Sequence, residues 1–438
     1  MTQKDALEIL KLGYNAYLTG AAGTGKTHVL TQYIAHLQLK NVPVAITAST
    51  GIAATHMGGI TIQSWSGLGI KDDLTDNDIQ ELKKKFYLQL RIIGTKVLII
   101  DEISMLHAFQ LDLIDRICKT IRQNTLPFGG IQVVLCGDFF QLPPVSRDGK
   151  HPEFVNKSQA WHAMGIHICY LDKPYRQHDE QFLKLLSDIR RNAVDPETLL
   201  KITKLLNRSL HTSIPPTLLY THNIDVDRIN TEELAKISGE EHIYTMTGYG
   251  KEHLVEILKK GCLAPEQLVL KKGANVMFVK NNFHEGYVNG TIGKVIGFDG
   301  EKKPIVETTS KKRIYVTSLA WSIMENNAVK AEIRQLPLRL AWAITVHKSQ
   351  GMSLDMAEMD LSKCFVRGMG YVALSRVRTL SGIKLLDINP MALQVDPYVM
   401  ELDKALIHAS QVEEQRLQQM GKWKRFMQKR DFMYQLTS

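Results

Sequence analysis

Short runs of consecutive apolar residues, separated by longer stretches of helical period, fill the first third of the chain. The runs fall at residues 14–19, 43–47, 97–100 and 131–136, with 166–171 as a fifth. A run such as VLII does not alternate with polar residues. It is apolar throughout, which suits a strand buried on both faces of a parallel sheet. Helical patterns follow, for instance at 27–39 and 108–122. Strand–helix alternation of this kind predicts an α/β fold with a doubly wound parallel sheet.

The pattern changes at three places. Between about 67 and 94 the chain turns polar (KDDLTDNDIQELKKKFYLQLRIIG), which predicts a small helical insertion in a first lobe spanning 1–170. A second α/β lobe is expected over 171–242 and 326–395. The interval 243–325 is rich in Val, Ile, Thr, Gly and Lys, with short runs such as VMFV and GKVIGF, and reads as a β-rich domain inserted into that lobe. Residues 396–438 read as a basic helical tail.

A length of 438 residues calls for several domains, and 44% hydrophobic against 23% charged residues is a globular balance. The net charge of +9 favours a polyanionic partner, nucleic acid first among them, although a merely basic enzyme has the same charge. The five cysteines are scattered and form no C-x-x-C pair, so neither a disulfide framework nor a zinc site is expected. No apolar stretch approaches the length of a membrane span, and the first residues show no signal or transit pattern. A cytoplasmic protein is expected, nucleoid-associated if bacterial.

The chemistry starts at Gly20–Thr27, GAAGTGKT, which fits G-x-x-x-x-G-K-[ST] between a strand and a helix. The stretch Gly20, Ala22, Gly23, Thr24 and Gly25 would turn backbone N–H groups around phosphates. Lys26 would reach the β- and γ-phosphates, and Thr27 would offer its hydroxyl to Mg²⁺. ATP and Mg²⁺ are therefore the expected cofactors. In VLIIDEIS, Asp101 and Glu102 end a buried strand, at the crevice where ligands of α/β sheets bind. Asp101 would hold Mg²⁺ and Glu102 would orient or deprotonate the attacking water. The next strand leads into GDFFQLPPV, where Gln141 follows closely and can sense the γ-phosphate.

Together these elements resemble superfamily 1 helicases, in particular the Pif-type group of the 1B branch. The match continues through TASTGIAATHMGG (47–59), TIQSWSG (61–67), LDKPYRQ (171–177), LKKGANVMFVKN, YVNGTIGKVIGF, AWAITVHKSQGMSLD (341–355) and YVALSRVR (371–378). The resemblance covers residues 2 to 386. It implies two RecA-like lobes with ATP between them and an SH3-like inserted domain. It also implies 5′→3′ translocation on single-stranded DNA with ATP-dependent unwinding.

By the same resemblance, Gln3 recognises adenine, and Arg176 and Arg376 reach the γ-phosphate from the second lobe. Such an arginine can be worth about 10³–10⁵ in rate. Gly351, within HKSQG, is grouped with the nucleotide residues. Thr50, Gly51, Thr61, Ser64, His347 and Lys348 match positions that hold the DNA strand. Trp65, Phe139 and Phe140 either stack on bases or belong to the core. Gln63 and Trp65 stand where the family more often has histidine and phenylalanine, which weakens the DNA reading there. The expected partners are single-stranded and forked DNA, with G-quadruplex DNA as a further candidate. A monomer in solution and a role in replication, repair, recombination or telomere maintenance are also expected. The absence of a long N-terminal extension points to a bacterial, phage or mobile-element origin.

The tail interleaves Lys422, Lys424, Arg425, Lys429 and Arg430 with Trp423, Phe426, Phe432 and Tyr434. It reads as an amphipathic helix packed on the body, with a nucleic-acid contact as the alternative. Residues 71–93 could act as a strand-separating pin. Two rival functions share the same phosphate residues: a nucleotide-gated DNA-binding ATPase without processive unwinding, and an RNA-directed helicase.

Overall fold

The computed structural model describes residues 1–437 except 70, 145–152, 176–178, 211–215, 222–225, 283 and 326–327. The first lobe is built on strands β1 (Ala16–Gly20), β2 (Val44–Ala48), β3 (Ile60–Thr61), β4 (Val97–Asp101), β5 (Gln132–Cys136) and β6 (His167–Leu171). They form one sheet in the order β3-β2-β4-β5-β1-β6, and all its pairings are parallel. Val97, Leu98, Ile99 and Ile100 are each 0% exposed, which is why the VLII run does not alternate. Helices α1 (Gln3–Lys11) and α2 (Lys26–Gln38) pack together on one face, and the helix Ala108–Arg122 lies in the core cluster of the other. The carboxyl ends of β1, β4 and β5 carry the P-loop, Asp101 and the GDFFQ turn, so the topology gathers three motifs at one edge.

The predicted insertion is two short helices, Asp76–Lys84 and Phe86–Gly94, packed on Ala108–Arg122. A capping box starts the first of them: the Thr75 hydroxyl accepts from the Asp78 N–H, and the Asp78 carboxylate accepts from the Thr75 N–H.

The second lobe has four parallel strands, with Thr217–Tyr220 between Ala343–Thr345 and Ala357–Leu361, and Ile383–Ile388 at the edge. The inserted domain is antiparallel throughout. Its five-stranded sheet includes Asn275–Phe278, Ile292–Phe298 and Leu338–Leu340, and a three-stranded sheet holds Thr247–Gly250, Leu319–Glu325 and Ala328–Gln335. This corrects one boundary. The return to the second lobe was expected at 326, but Ala328–Gln335 and Leu338–Leu340 pair inside the insertion, and the lobe resumes at Ala343. Among the described residues, no helix is long and apolar enough to cross a membrane.

The tail is packed on the first lobe. Helix Pro397–Gln419 lies along β6, where the Ser410 hydroxyl accepts from the Tyr170 N–H (3.0 Å) and Glu413 pairs with His167 (2.8 Å). Helix Lys422–Thr437 lies against α1: Gln428 donates to Leu12 O (3.1 Å) and Lys429 pairs with Glu8. Gly13 has φ +89°, and a Cβ there would sit 2.5 Å from the Phe432 ring, so only glycine lets this helix approach.

One buried cation joins these parts. Arg190 ends the helix Glu180–Arg190 of the second lobe and donates to both carboxylate oxygens of Asp138, at 2.9 and 2.9 Å, in the first-lobe GDFFQ turn. It also donates to Tyr170 Oη (3.0 Å), Tyr371 Oη (3.3 Å) and Asp403 (3.2 Å), the last on Pro397–Gln419. The guanidinium lies 3.9 Å from the centroid of the Phe140 ring. Asp138 is wholly buried, so its charge is tolerable only with this partner. Arg190→Met should therefore lower the unfolding free energy by about 3–5 kcal/mol in urea titration. Adding Asp138→Asn should restore much of it. A single-mutant loss under about 1 kcal/mol would mean that the pair behaves as a solvated one.

Candidate nucleotide site and nucleic-acid groove

Between β1 and α2, the P-loop is fixed by backbone geometry. Gly25 caps α2 at φ +86°, and a Cβ there would lie 2.0 Å from Gln3 Nε2. Side-chain strain and Gln3 both require glycine at this point. Gln3 donates to Thr24 O (3.0 Å), which places it against the P-loop. Lys26 Nζ donates to Gly20 O (2.8 Å) and Ala21 O (3.2 Å), and Thr24 Oγ1 donates to Ala21 O (2.9 Å). The N-terminus of α2 adds a positive dipole end, so N–H groups and ammonium converge as a phosphate cradle requires.

Asp101 and Glu102 face this loop. The Glu102 N–H donates to Asp101 Oδ1 (2.8 Å), and Glu102 holds a left-handed φ of +52°. The Ser49 hydroxyl donates to Glu102 O (2.6 Å) and helps to hold that turn. Burial raises the pKa of Asp101. Burial first, then Asp101, pushes Glu102 up to about 7, against the pull of Lys26 and Arg376. A carboxylate that titrates near neutrality is suited to taking a proton from water.

Gln141 is 6% exposed and its Oε1 has no partner among the described residues. A buried acceptor of this kind fits a water or ligand donor, as the sensor reading requires. Arg376 is 2% exposed and donates to Val372 O (3.0 Å) and Ser375 Oγ (3.2 Å). Among the described residues no carboxylate pairs with it, and burial lowers its pKa while the charge of Glu102 raises it. Arg176 lies outside the described residues. Its neighbour Tyr175 donates its N–H to Gly23 O (2.8 Å), which holds that segment of the second lobe on the P-loop. The Ala22 N–H donates to Tyr371 Oη (3.4 Å), so the helix Met369–Ser375 that precedes Arg376 touches the same loop.

A cavity of about 380 Å³ runs from the nucleotide acids to the expected DNA residues. Thr27, Asp101 and Glu102 line it together with Thr50, His347, Lys348 and Gly351. Gly351 lines this shared space beside His56. Lys280, Asn289 and Trp321 of the insertion line it too, and sequence reasoning missed them. Lys280 Nζ sits 4.9 Å from the centroid of the Trp321 ring, a base and an aromatic side by side. His56 Nε2 meets Asn289 Nδ2 at 3.1 Å, and burial lowers the His56 pKa to about 4, so the ring is neutral at neutral pH.

Thr50 and Thr61 each cap a short helix, Gly51–His56 and Ile62–Ser66. Thr61 Oγ1 accepts from the Ser64 N–H (3.2 Å) and donates to Ser64 Oγ (2.9 Å). Gly51 is pressed against the insertion: a Cβ there would lie 3.1 Å from the Cα of Gly261, on the helix Glu252–Gly261.

For three aromatics the structure favours the core alternative over base stacking. Trp65 is 2% exposed and belongs to the first-lobe core, with no free ring face for a base. Phe139 is 4% exposed and packs on Tyr17, Phe154 and Trp161. Phe140, also 4% exposed, lies under Arg190. The GDFF turn folds back into the core directly after β5, so these rings serve packing.

Two α/β lobes, a P-loop with paired acids on one and a buried arginine offered from the other define an ATP-driven motor of the helicase class. The PIF1-like helicase model matches residues 3–196, and the Pif1 helicase 2B domain matches 253–298. The chain is 44% identical to an ATP-dependent DNA helicase Pif1 of Psychrobacter sp., over 92% of this chain and 70% of that protein, and 35% identical to an ATP-dependent DNA helicase PIF1 of Homo sapiens, over 91% of this chain and 62% of that protein. A Bacteroides sp. Pif1 in complex with ADP-AlF4 superposes with a TM-score of 0.80 at 31% identity, covering 93% of this chain and 96% of that one. The Bacteroides protein with ADP-AlF3 and single-stranded DNA gives 0.63 at 30% identity, over 93% and 96%. The chain belongs to the PIF1-like helicase family.

Glu102→Gln should keep nucleotide binding and cut ATPase kcat by about 10²-fold or more, the usual worth of a general base. In the wild type, only the ionised carboxylate accepts a proton, so kcat/KM should climb as pH rises through about 7. A wild-type profile flat between about pH 6 and 8 would remove Glu102 from that role.

Proposed function

We propose that this helicase translocates 5′→3′ along single-stranded DNA and unwinds forked duplexes, with ATP hydrolysed between its two lobes. The observation that carries the reading is the cavity that joins Thr27, Asp101 and Glu102 to Thr50, His347 and Lys348. Residues that meet phosphates of the nucleotide and residues suited to a DNA backbone share one space, so closure at one end is felt at the other. Lys26 and Gly20–Thr27 bind the phosphates, and Gln3 takes the adenine. Glu102 takes the proton of the attacking water, Gln141 orients that water, and Arg376 with Arg176 offsets the charge that builds on the γ-phosphate.

Thr27 and Asp101 are the residues that would hold Mg²⁺, and the ion would neutralise charge on the phosphate oxygens. Thr27 is exposed toward the cavity that Asp101 also lines, which fits a hydrated ion shared with phosphates.

The insertion supports a strand-separating role. On the helix Phe86–Gly94, Phe86 is 70% exposed, Tyr87 53%, Leu90 59% and Ile93 52%, an apolar edge able to break base stacking. The chain acts as a monomer in the cytoplasm, on forks and on folded single strands such as G-quadruplexes, in replication, repair, recombination or telomere maintenance.

The test uses two matched duplexes, one with a 5′ single-stranded tail and one with a 3′ tail. With ATP and Mg²⁺, the 5′-tailed duplex should open and the 3′-tailed one should not. Lys26→Ala should abolish ATPase and opening while leaving DNA binding. Opening from the 3′ tail alone would reverse the polarity. ATPase stimulated by single strands without any opening would make the chain a nucleotide-gated DNA-binding switch. Stronger stimulation by RNA than by DNA would transfer the reading to RNA.

A further inference from the structure

The helix Lys422–Thr437 packs along one side only. Leu436 is buried, Gln428 and Lys429 bond to Leu12 and Glu8, and Phe432 rests on Gly13. At about 100° per residue, Trp423, Phe426, Arg430 and Tyr434 fall within about 80° of one another on the outer side. Trp423 is 73% exposed, Phe426 57% and Tyr434 74%. The Trp423 and Phe426 rings stand 6.0 Å apart at an interplanar angle of 31°. Packing against the body does not account for these three rings, because the body is on the other side.

The stripe is set in positive charge. Lys422, Lys424, Arg425, Lys429 and Arg430 face one acid, Asp431, along this helix. Lys429 is paired with Glu8 and Arg430 with Asp431, whereas Lys422 and Lys424 are exposed with no ion pair among the described residues. The field extends to the neighbouring helices. On α2, the His36 pKa is lowered first by burial and then by Lys11, Lys40 and Lys429, against Glu8, so lysines of α1, of the turn after α2 and of this helix act on one spot.

The occupant must be negative and must offer flat faces. An acidic peptide has the charge but no rings in register, and a duplex hides its base faces in the stack. A single strand has both, phosphates for the lysines and bases for the rings. We propose that the Trp423–Phe426–Arg430–Tyr434 stripe, with the lysines around it, is a second binding site for single-stranded nucleic acid. It is separate from the groove. The stripe's helix rests on Leu12 and Gly13, ahead of the amino end of β1, whereas Thr27, Thr50 and Asp101 of the groove lie at or beyond the carboxyl ends of β1, β2 and β4. The length of a five-residue strand lies between them, roughly 17 Å. A strand held on the stripe is therefore a tether, which keeps the enzyme on its substrate while the groove releases and regrips. The site stands apart from the polarity and unwinding proposed above.

The whole chain carries the test. The triple variant Trp423→Ala, Phe426→Ala and Tyr434→Ala alters exposed side chains only, and its melting temperature should match the wild type. Affinity is read by anisotropy with labelled oligo(dT), one oligonucleotide short enough to fill the groove alone and one several times longer. The variant should bind the long strand about tenfold more weakly, the loss expected of one or two stacked bases. It should keep the short-strand affinity and the kcat of the DNA-saturated ATPase. Lys422→Gln with Lys424→Gln should flatten the salt dependence of long-strand binding by about one to two phosphate contacts. Unchanged long-strand binding in the triple variant would overturn the proposal. A wild-type dimer that the triple variant loses would overturn it as well, by making the stripe a contact between copies. Loss of short-strand binding in the wild type would instead strike the groove reading and leave this one standing.

Discussion

The arrangement of this molecule rests on a single buried guanidinium. Arg190 gives its donors to Asp138 from the first lobe, to Tyr371 from the second and to Asp403 from the tail, with Phe140 beneath it. A buried charge left without partners is far costlier than an ordinary lost hydrogen bond. Each of the three parts must therefore keep its place for the others to keep theirs. The same cluster reaches the nucleotide loop, because Tyr371 accepts from both Arg190 and the Ala22 N–H.

That constraint also orders the site chemistry. Lys26, Glu102, Asp101 and Arg376 act on one another through a poorly solvated space, so the pKa of Glu102 is set jointly by its burial and by charges from both lobes. A carboxylate placed this way reports lobe position as well as proton concentration. If Arg376 withdrew, Glu102 would lose one of the two cations that favour its ionised form.

Much of this was legible in the sequence because the informative strings are local. The glycines of Gly20–Thr27, the apolar run ending at Asp101 and the β1, β2, β4, β5 and β6 strands all follow from backbone chemistry or from burial on both faces. What was missed depends on tertiary neighbours. Arg190 sits in FLKLLSDIRR, an ordinary amphipathic helix, and nothing in that string says that its arginine points inward. Trp65 and Phe139 carry the residue types of base-stacking platforms, yet the turn after β5 and the helix Ile62–Ser66 direct them into the core. Strand pairing likewise decided where the insertion ends: Leu338–Leu340 alternates no differently from a second-lobe strand, and only its register against Asn275–Phe278 assigns it. Lys280 and Trp321 come from distant points of the insertion and meet only after its sheets form.

The seam between the insertion and the first lobe has its own consequence. There Gly51 meets Gly261: a Cβ on Gly261 would collide with Thr55 Oγ1 and Gly51 O, and one on Gly51 would press on the Gly261 Cα at 3.1 Å. Apolar side chains such as Ile52, Leu254 and Leu258 share one core cluster around this close approach, and His56 with Asn289 adds a polar contact. A methyl group at Gly261 would act as a wedge between the two helices, so the fit of the insertion on the first lobe hangs on a side chain that is missing.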